Sequence, residues 1–514
     1  MMNEEMQIPT IPAEKFAFVQ KEKKIHDVKL QTKPIGYFKD AWMRFCKNKS
    51  ALVAFWLIVV LVLFAIIVPF VSNYTVSDRD GYYKTVLPRS EFFAQFGIWD
   101  GCKVSRETQE GYDALEATGV ETGRQVAVLQ EKTQDSNGID YYTVKVNSYY
   151  QVGYAYLNLT ADEYQALQSY QNETGYQVIY PMPATHTTSY LLGNGGANFW
   201  YKLADEDRTT KGLAVRDENG NLIANYLTSD NKEKAAYTSL RIAGDEGGED
   251  GKSWYTYAVK NQSGYKVRVD YYEYFRYKNG NAPSFLFGTN VYGQDIFTCL
   301  AAGARLSFLL AISVSLINFL IGAVYGAIEG YYGGWVDIIM ERVSDILADV
   351  PFMVVATLFQ LHLAQKVGVL PCLLFAFVLT GWVGMASRVR MQFYRFKGQE
   401  YVLAARTLGA GDKRLIFKHI FPNSLGTIVT GSVLAIPGVI FSESMLSYLH
   451  IINLETSSLT SIGTMLSNGQ GYLSTYPHII LFPALFISIL EISFNLFGNG
   501  LRDALNPTLR GADE

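Results

Sequence analysis

Cysteine is scarce in this 514-residue sequence, which contains only four. They are Cys46, Cys102, Cys299 and Cys372. Because these residues are far apart and fall in different segments, the sequence predicts no disulfide framework. The sequence also lacks a CxxC pair and any Cys/His cluster at metal-ligand spacing, so it predicts no metal site.

A complete phosphate-binding loop is lacking as well. Gly251-Lys252-Ser253 resembles the end of one, but Glu246 stands where the first glycine of such a loop is required. Four acidic residues lie between positions 245 and 250, and they would repel a phosphate group. The sequence therefore predicts no nucleotide site and no cofactor in this chain.

Charge is sparse and unevenly placed. Charged residues make up 18% of the chain and hydrophobic residues 49%, which is typical of a membrane protein with a soluble part. Lys and Arg number ten in residues 1–49 and eight in residues 386–424, but none occurs in residues 449–478. Since basic residues in short loops stay in the cytoplasm, we expect the first two regions inside and the third outside. A cleavable signal peptide is not expected, because the first apolar run begins after about fifty residues.

The apolar segments predict a mainly α membrane protein with six transmembrane helices. The predicted spans are residues 51–71, 306–328, 337–360, 370–385, 425–449 and 479–497. Pro351 interrupts the third span, and Pro437-Gly438 breaks the fifth. Asp345 and Asp349 share one face of the third span, either at membrane depth or, as we prefer, at its cytoplasmic mouth.

The chain is predicted to consist of four parts. Residues 1–50 are a cytoplasmic tail that ends in an interfacial helix, and residues 51–71 are the first span. Residues 72–284 form an extracytoplasmic insert, and residues 285–514 form a five-helix core with a cytoplasmic loop at 386–424.

The insert is predicted to be an α+β domain. Residues 72–284 hold 28 acidic and 21 basic side chains and 25 of the 35 tyrosines. Alternation predicts strands at 142–146 and 265–269, a hairpin turn at 261–264 precedes the second, and Thr160 with Glu163 forms a capping box. The stretches YYTVKVNSYY and GYKVRVDYYEY are alike, which either duplication or chance explains. The tyrosines favour ordinary sheet packing over a ligand site.

Residues 400–423, which we call the 400–423 segment, are polar and lie between two apolar stretches of the chain. One face of its first helix carries Ala404, Ala405 and Leu408. Gly409 and Gly411 break that helix, and Asp412 is predicted to be the N-cap of a second helix that ends at Pro422. Such a helix–turn–helix leaves a backbone that another protein can approach closely, although a loop lying on the bilayer surface would have the same pattern.

The order of these residues resembles the cytoplasmic "EAA" loop through which ABC-importer permeases bind their ATPase subunits. Leu403 stands where the family has its first acidic residue, and Glu400 lies one turn earlier. The resemblance implies that ATPase docking involves Glu400, Ala404, Ala405, Gly409, Asp412, Lys413, Arg414, Lys418 and Pro422.

Further elements resemble permeases for dipeptides and oligopeptides. Residues 287–308 contain Gly288-Thr289, Asp295 and Gly303-Ala304-Arg305 in the family's order. Residues 331–335 read YYGGW, as in the family. The tail GNGLRDALNP is close to the GDGLRDALDP of the C-type peptide permease, with Asn499 in place of an acid. The resemblance covers the first span and residues from 287 onward, but not the insert.

Four charged residues are candidates for the translocation path. They are Asp295, Arg305, Glu443 and Glu491. A helix start anchored by Arg305 at the membrane interface explains the first two nearly as well, and interhelical hydrogen bonds explain either glutamate equally well.

The resemblance implies a non-enzymatic permease subunit with the type I importer fold. It would move short peptides across the bacterial cytoplasmic membrane, with both termini in the cytoplasm. The implied partners are a second permease, two ATPase subunits that bind ATP and Mg²⁺, an extracytoplasmic solute-binding protein and membrane lipid, but no nucleic acid. A permease for another solute such as a metal chelate, a receptor or signalling subunit whose outer domain binds a ligand, and a secondary transporter remain as alternatives.

Overall fold

The structure, a computed structural model, describes residues 37–183, 255–456 and 459–505, together with 197–198, 214, 216–220 and 222. The predicted tail at 1–35 and the glycine loop at 251–253 lie outside the described residues. Helix α1 (Tyr37–Lys47) lies where the sequence predicts an interfacial helix before the first span. Helix α2 (Lys49–Val71) confirms the first span, because it is long and apolar enough to cross a membrane.

The first part of the insert forms a small three-stranded sheet. After the short helix α3 (Glu91–Ala94), its elements are β1 (Cys102–Thr108), α4 (Gln109–Thr122), β2 (Ala127–Gln134) and β3 (Asp140–Asn147). The strand order is β1-β3-β2, and β3 is antiparallel to both neighbours. Alternate residues of β3 are buried against α4, which confirms the predicted strand.

A second sheet follows. Its elements are β4 (Tyr154–Leu159), α5 (Ala161–Thr174), β5 (Ile179–Tyr180), β6 (Met182–Pro183), β7 (Tyr255–Thr256), β8 (Ala258–Lys260), β9 (Tyr265–Asp270) and α6 (Tyr271–Asn279). The order is β4-β9-β5, with β8 also paired to β9, while β6 pairs with β7. The predicted capping box of Thr160 and Glu163 and the hairpin between β8 and β9 are both confirmed.

The two units share one topology. In each, a strand leads to a 14-residue helix, a second edge strand follows, and the last strand lies between the two, antiparallel to both. Both helices have a threonine N-cap, Thr108 and Thr160, and a left-handed glycine C-cap, Gly123 and Gly175. The two similar stretches are the two central strands, so the topology favours duplication over chance.

Arg124 joins the two units. Its Nη1 donates to both carboxylate oxygens of Asp270, at 3.0 and 2.7 Å, and its Nη2 donates to Glu273 at 2.7 Å. Burial raises the pKa of Asp270 to about 6, and the guanidinium opposes that rise. Burial also raises the pKa of the Cys102 thiol to about 11.

The core that follows the insert is helical. Its helices are α7 (Ile296–Tyr332), α8 (Gly334–Ala348), α9 (Phe352–His362), α10 (Ala364–Val367), α11 (Val369–Gly381), α12 (Val383–Lys397), α13 (Glu400–Thr407), α14 (Asp412–Arg414), α15 (Phe421–Val433), α16 (Ala435–Tyr448), α17 (Ile462–Gly469) and α18 (His478–Leu505). The described residues contain five helical stretches able to cross a membrane, or six if α8 and α9 form one span bent by 68°. That bend lies at Pro351, as predicted.

The helices extend well beyond four of the predicted spans, namely the second, fourth, fifth and sixth, and the cause is clear for the second and the fourth. Helix α7 begins at Ile296, ten residues before the predicted start, because Asp295 caps it by accepting the Thr298 amide at 3.0 Å. The fourth span continues through α12 to Lys397 instead of ending at Met385. Arg388 therefore lies within the helix, where it donates to the Gly431 carbonyl at 3.1 Å. Because the Arg388 side chain is hydrogen-bonded inside the folded chain, this charged stretch can remain helical.

Helices α7 and α12 pack closely through a glycine ridge, defined as Gly322, Gly326 and Gly330. A Cβ at Gly326 would overlap the Ala386 carbonyl oxygen and lie 2.9 Å from its carbon. At Gly330 it would lie 2.8 Å from the Arg390 carbonyl oxygen. Small residues four apart allow membrane helices to approach closely, so these glycines account for the close packing of α7 against α12.

The insert is fastened to the start of α7. Thr289, which is fully buried, accepts the Val86 amide at 2.8 Å and donates to the Tyr83 carbonyl at 2.6 Å. Gly288 has φ +77°, and a Cβ there would overlap the Val86 carbonyl oxygen. The chain segments that leave and re-enter the core thus run side by side, tied together before α7 begins.

Candidate functional site

The 400–423 segment is a helix–turn–helix, as predicted. Helix α13 ends at Thr407 with Leu408 as its C-cap, and Gly409 adopts φ +83°, a conformation that favours glycine. The second helix begins after Gly411, which is its N-cap. The predicted N-cap role of Asp412 is therefore wrong, and its side chain is bonded elsewhere.

Pro422 does not end the second helix. Helix α14 continues through a π-helical turn (Leu415–Ile420) into α15, and the whole stretch from Asp412 to Tyr448 qualifies as a single spanning stretch. Proline lacks an amide hydrogen and its ring crowds the preceding turn, and the wider π-turn accommodates both effects. Pro422 lies in the first turn of α15, where proline is tolerated.

One face of the segment is anchored in a buried apolar cluster. Val402, Leu415 and Ile420 are fully or almost fully buried. They belong to the same cluster as residues of α7 and α12, including Tyr331 and Phe393. The anchored face attaches the segment to α7 and α12 through buried apolar contacts.

The opposite face is open. Leu408 at the turn is 89% exposed and Phe417 is 66% exposed. Ala405 is half-buried, and the other predicted docking residues are exposed: Glu400, Ala404, Gly409, Asp412, Lys413, Arg414, Lys418 and Pro422. An apolar tip beside three basic side chains has the character of a protein-binding surface with an apolar centre and a charged rim.

Tyr331, near the end of α7, connects the open face to the core. Its hydroxyl donates to Asp412 Oδ1 at 2.5 Å, and the Arg406 guanidinium lies 6.0 Å from its ring centroid. Tyr331 is the penultimate residue of a 37-residue helix that is about 55 Å long. A contact at the 400–423 segment is therefore joined directly to an element that reaches the insert.

An ion network next to this contact fixes three helices together. Arg390 of α12 binds Asp337 at 2.6 and 2.9 Å and Glu341 at 2.9 and 3.1 Å, both on α8. Its Nε lies 3.4 Å from Glu329 of α7, and Tyr394 donates to Asp337 at 2.5 Å. Charge-assisted, bidentate bonds of this kind hold helices in a fixed orientation.

Asp295 and Arg305 lie near the start of α7. Asp295 accepts the amide and hydroxyl of Thr298, at 3.0 and 2.6 Å, and that hydroxyl also lies 2.6 Å from Ser72, the C-cap of α2. Arg305 is exposed, its guanidinium lies 5.7 Å from the Phe70 ring centroid, and it lines a cavity of about 550 Å³. Ten residues place these two positions about 15 Å apart along the helix.

Glu443 and Glu491 have different surroundings. Glu443 is 1% exposed and accepts from Ser307 of α7 at 3.0 Å and from Ser447 at 3.1 Å. The bond from Ser307 is the interhelical hydrogen bond that the sequence offered as the alternative to a role in the translocation path. Glu491 is half-buried on α18. The structure thus brings Glu443 next to α7 but does not gather the four path candidates into one site.

Several residues of this region were not predicted. The YYGGW motif carried no predicted role for Tyr331, and Arg390 was expected in the cytoplasmic loop at 386–424. A signal for the glycine ridge was present, because the three glycines recur every four residues. No local pattern indicates that Tyr331 reaches Asp412, which is 81 positions away.

Two family models match parts of this chain. Residues 318–511 match the family described as "binding-protein-dependent transport system inner membrane component", and residues 36–88 match "N-terminal TM domain of oligopeptide transport permease C". Among solved structures, an inward-facing MetNI methionine ABC transporter chain is similar over 40% of this chain and 96% of that chain, at 15% identity and a TM-score of 0.34.

Sequence relatives are closer. The oligopeptide permease OppC of Bacillus subtilis is 44% identical over 224 residues, covering 44% of this chain and 72% of the relative. The dipeptide permease DppC of the same organism is 40% identical, covering 44% and 69%. The OppC of Escherichia coli K12 is 36% identical, covering 43% and 72%. This chain therefore belongs to the family of permease subunits of oligopeptide and dipeptide ABC transport systems, and it is a multi-pass membrane protein.

Proposed function

We propose that this chain is one of two permease subunits in an ATP-driven importer for short peptides. Two ATPase subunits, which bind ATP and Mg²⁺, dock on the 400–423 segment, and an extracytoplasmic solute-binding protein delivers the peptide. The chain itself carries out no chemistry. The observation that supports this function best is the open face of the segment, joined through Asp412 to Tyr331 of α7.

The exposed side chains suit this docking role. Leu408 and Phe417 would enter an apolar groove of the ATPase, and Lys413, Arg414 and Lys418 would pair with acidic side chains at its rim. Leu403 replaces the family's first acid and is 45% exposed, so it extends the apolar tip.

Movement would pass from the segment into the spans by direct contact. Closure of the ATPases displaces the segment, and its buried face transmits that displacement to α7 and α12. These two helices move together because the glycine ridge and the Arg390 network lock them. Both termini lie in the cytoplasm in this arrangement, and the insert lies outside, where it provides a platform for the solute-binding protein.

The proposed function is tested by reconstitution. The full chain, purified with the proteins that accompany it in its native membrane, is placed in phosphatidylethanolamine and phosphatidylglycerol vesicles with a labelled tripeptide. We expect peptide uptake that requires ATP and a solute-binding protein. Uptake that continues without ATP but stops when the proton gradient collapses would identify a secondary transporter. Ligand binding without any transport would identify a receptor subunit instead.

A smaller change tests the link between the segment and α7. Tyr331→Phe removes one hydroxyl and should cost only about 1 kcal/mol of stability. We expect the ATPases to remain bound while the amount of peptide imported per ATP hydrolysed falls several-fold. The matched control is Tyr332→Phe, because Tyr332 is 56% exposed and adjacent in sequence. Equal coupling ratios in the two variants would show that the Tyr331–Asp412 bond transmits nothing.

A further inference from the structure

A group of exposed apolar side chains lies on the insert at residues 91–99, which we call the aromatic patch. Phe92, Phe96 and Ile98 are 65%, 66% and 59% exposed. The Phe92 ring lies 5.2 Å from that of Phe93 and 5.8 Å from that of Phe96. A contiguous exposed apolar group of this kind marks an interaction surface, since soluble surfaces rarely expose several neighbouring aromatic rings.

The aromatic patch contacts the last span. The Trp99 ring is nearly parallel to that of Phe482, at an interplanar angle of 18° and a centroid distance of 6.2 Å. The Phe93 ring centroid also lies 5.4 Å from that of Trp99. Phe482 is the fifth residue of α18, so it lies about 6 Å along the axis from the helix start. Trp99 therefore sits at the level of the first turn of a membrane-spanning helix.

The backbone holds the patch in place. The Ser90 amide donates to the Trp99 carbonyl at 2.9 Å, which closes the loop that carries the aromatic residues. Outside the loop, the Arg89 amide donates to the Phe285 carbonyl at 2.9 Å and the Gly101 amide donates to the Pro88 carbonyl at 3.1 Å. The exposed rings thus belong to a closed loop fixed to both the insert and the segment that leads into α7.

From this placement we infer that the aromatic patch inserts into the interfacial layer of the lipid leaflet on the insert's side of the membrane. The patch is continuous with α18, whose Leu481 and Leu485 are also exposed. Aromatic side chains at the ends of spanning helices favour this layer. Gln95 is the only polar side chain between Phe92 and Ile98, and the exposed Glu91 at the edge of the patch would remain among the lipid headgroups.

Lipid anchoring would restrict the insert's orientation relative to the bilayer. The chain connections at Ser72 and Asp295 lie on one side of the insert, and the patch provides a further attachment beside α18. This inference depends on the chain's membrane location and not on its substrate, so it stands apart from the proposed function.

The test measures lipid contact in the full chain. A Phe96→Cys variant, in a chain that also carries Cys46→Ser and Cys102→Ser, is labelled with bimane, since Cys299 and Cys372 are buried. The chain is reconstituted in phosphatidylethanolamine and phosphatidylglycerol vesicles containing lipids with a nitroxide near the top of the acyl chain. We expect strong quenching of the label at position 96.

The matched control is Ile139→Cys in the same background. Ile139 is 50% exposed and lies at the hairpin before β3, at the end of the sheet opposite Cys102 and on the order of 20 Å from it. Quenching at position 96 should be several-fold stronger than at position 139. Equally weak quenching at both positions would overturn the inference. So would quenching at position 96 that is lost when the companion permease is added, because the patch would then be a subunit interface.

Discussion

A proline at position 409 is expected to abolish peptide uptake while leaving the chain inserted in the membrane. Gly409 has φ +83°, and proline is confined to φ near about −65°. The substitution would also remove the amide that donates to the Arg406 carbonyl at 3.0 Å. The turn between the two helices would have to refold, which would displace Leu408 and the basic side chains from the positions in which we propose that they bind the ATPases.

Two variants separate this effect from a general loss of folding. Gly411→Ala places a methyl group in open space at an ordinary φ of −73°, so near-normal uptake is expected. Gly409→Asn retains access to the left-handed region and should keep most of the uptake. Uptake of a labelled tripeptide is measured in vesicles, with the amount of membrane-inserted chain determined by immunoblot. Normal uptake by the Gly409→Pro variant at normal abundance would refute the docking role of the segment.

Replacing Gly326 by leucine is expected to separate α7 from α12. The new side chain would begin where the backbone of Ala386 already lies, and a backbone cannot yield as a flexible side chain does. We expect a loss of about 3 kcal/mol in the free energy of unfolding, together with loss of transport. Unfolding in detergent micelles with increasing denaturant gives the first quantity, and vesicle uptake gives the second.

Gly384→Leu is the matched control for this experiment. Gly384 lies on α12, in the same helix pair, but a Cβ there would meet no atom within 4 Å. The control adds the same side chain and improves helix propensity, so no loss of stability is expected. If both leucine variants unfolded alike, the effect would reflect leucine at a glycine position in general, and not close packing at the ridge.

Local patterns were sufficient to predict much of the fold. The first span, the strands around Val144 and Val267, the capping box at Thr160 and the bend at Pro351 each follow from residues within a few positions of one another. Such features depend on periodicity and on terminal hydrogen bonds, both of which are visible in a single sequence.

Features that depend on distant partners could not be predicted. The sequence predicts that the fourth span ends at Met385, because arginines follow it. Arg390 forms ion pairs with Asp337 and Glu341, however, and the helix continues through it. Asp412 is a residue type that favours the N-cap position, but its carboxylate accepts a hydrogen bond from the Tyr331 hydroxyl instead. In the sequence, Pro422 indicates the end of a helix. The preceding π-turn accommodates the proline, so the helix continues.

The candidate site also has one part that the sequence predicts and one part that depends on distant residues. The open, mixed apolar and basic character of the 400–423 segment follows from its sequence, and the structure places eight of the nine predicted docking residues at the surface and leaves Ala405 half-buried. Its buried attachment through Val402, Leu415 and Ile420 depends on α7 and α12, so it required the folded chain.

The tie at Thr289 has a consequence for events on the insert's side of the membrane. Because its hydroxyl joins the chain leaving α2 to the chain entering α7, the base of the insert follows any tilt of those helices. A protein resting on the insert would then be carried through an arc whenever the helices rock. Release of solute from that protein and opening of the translocation path would then result from the same rotation of the helices.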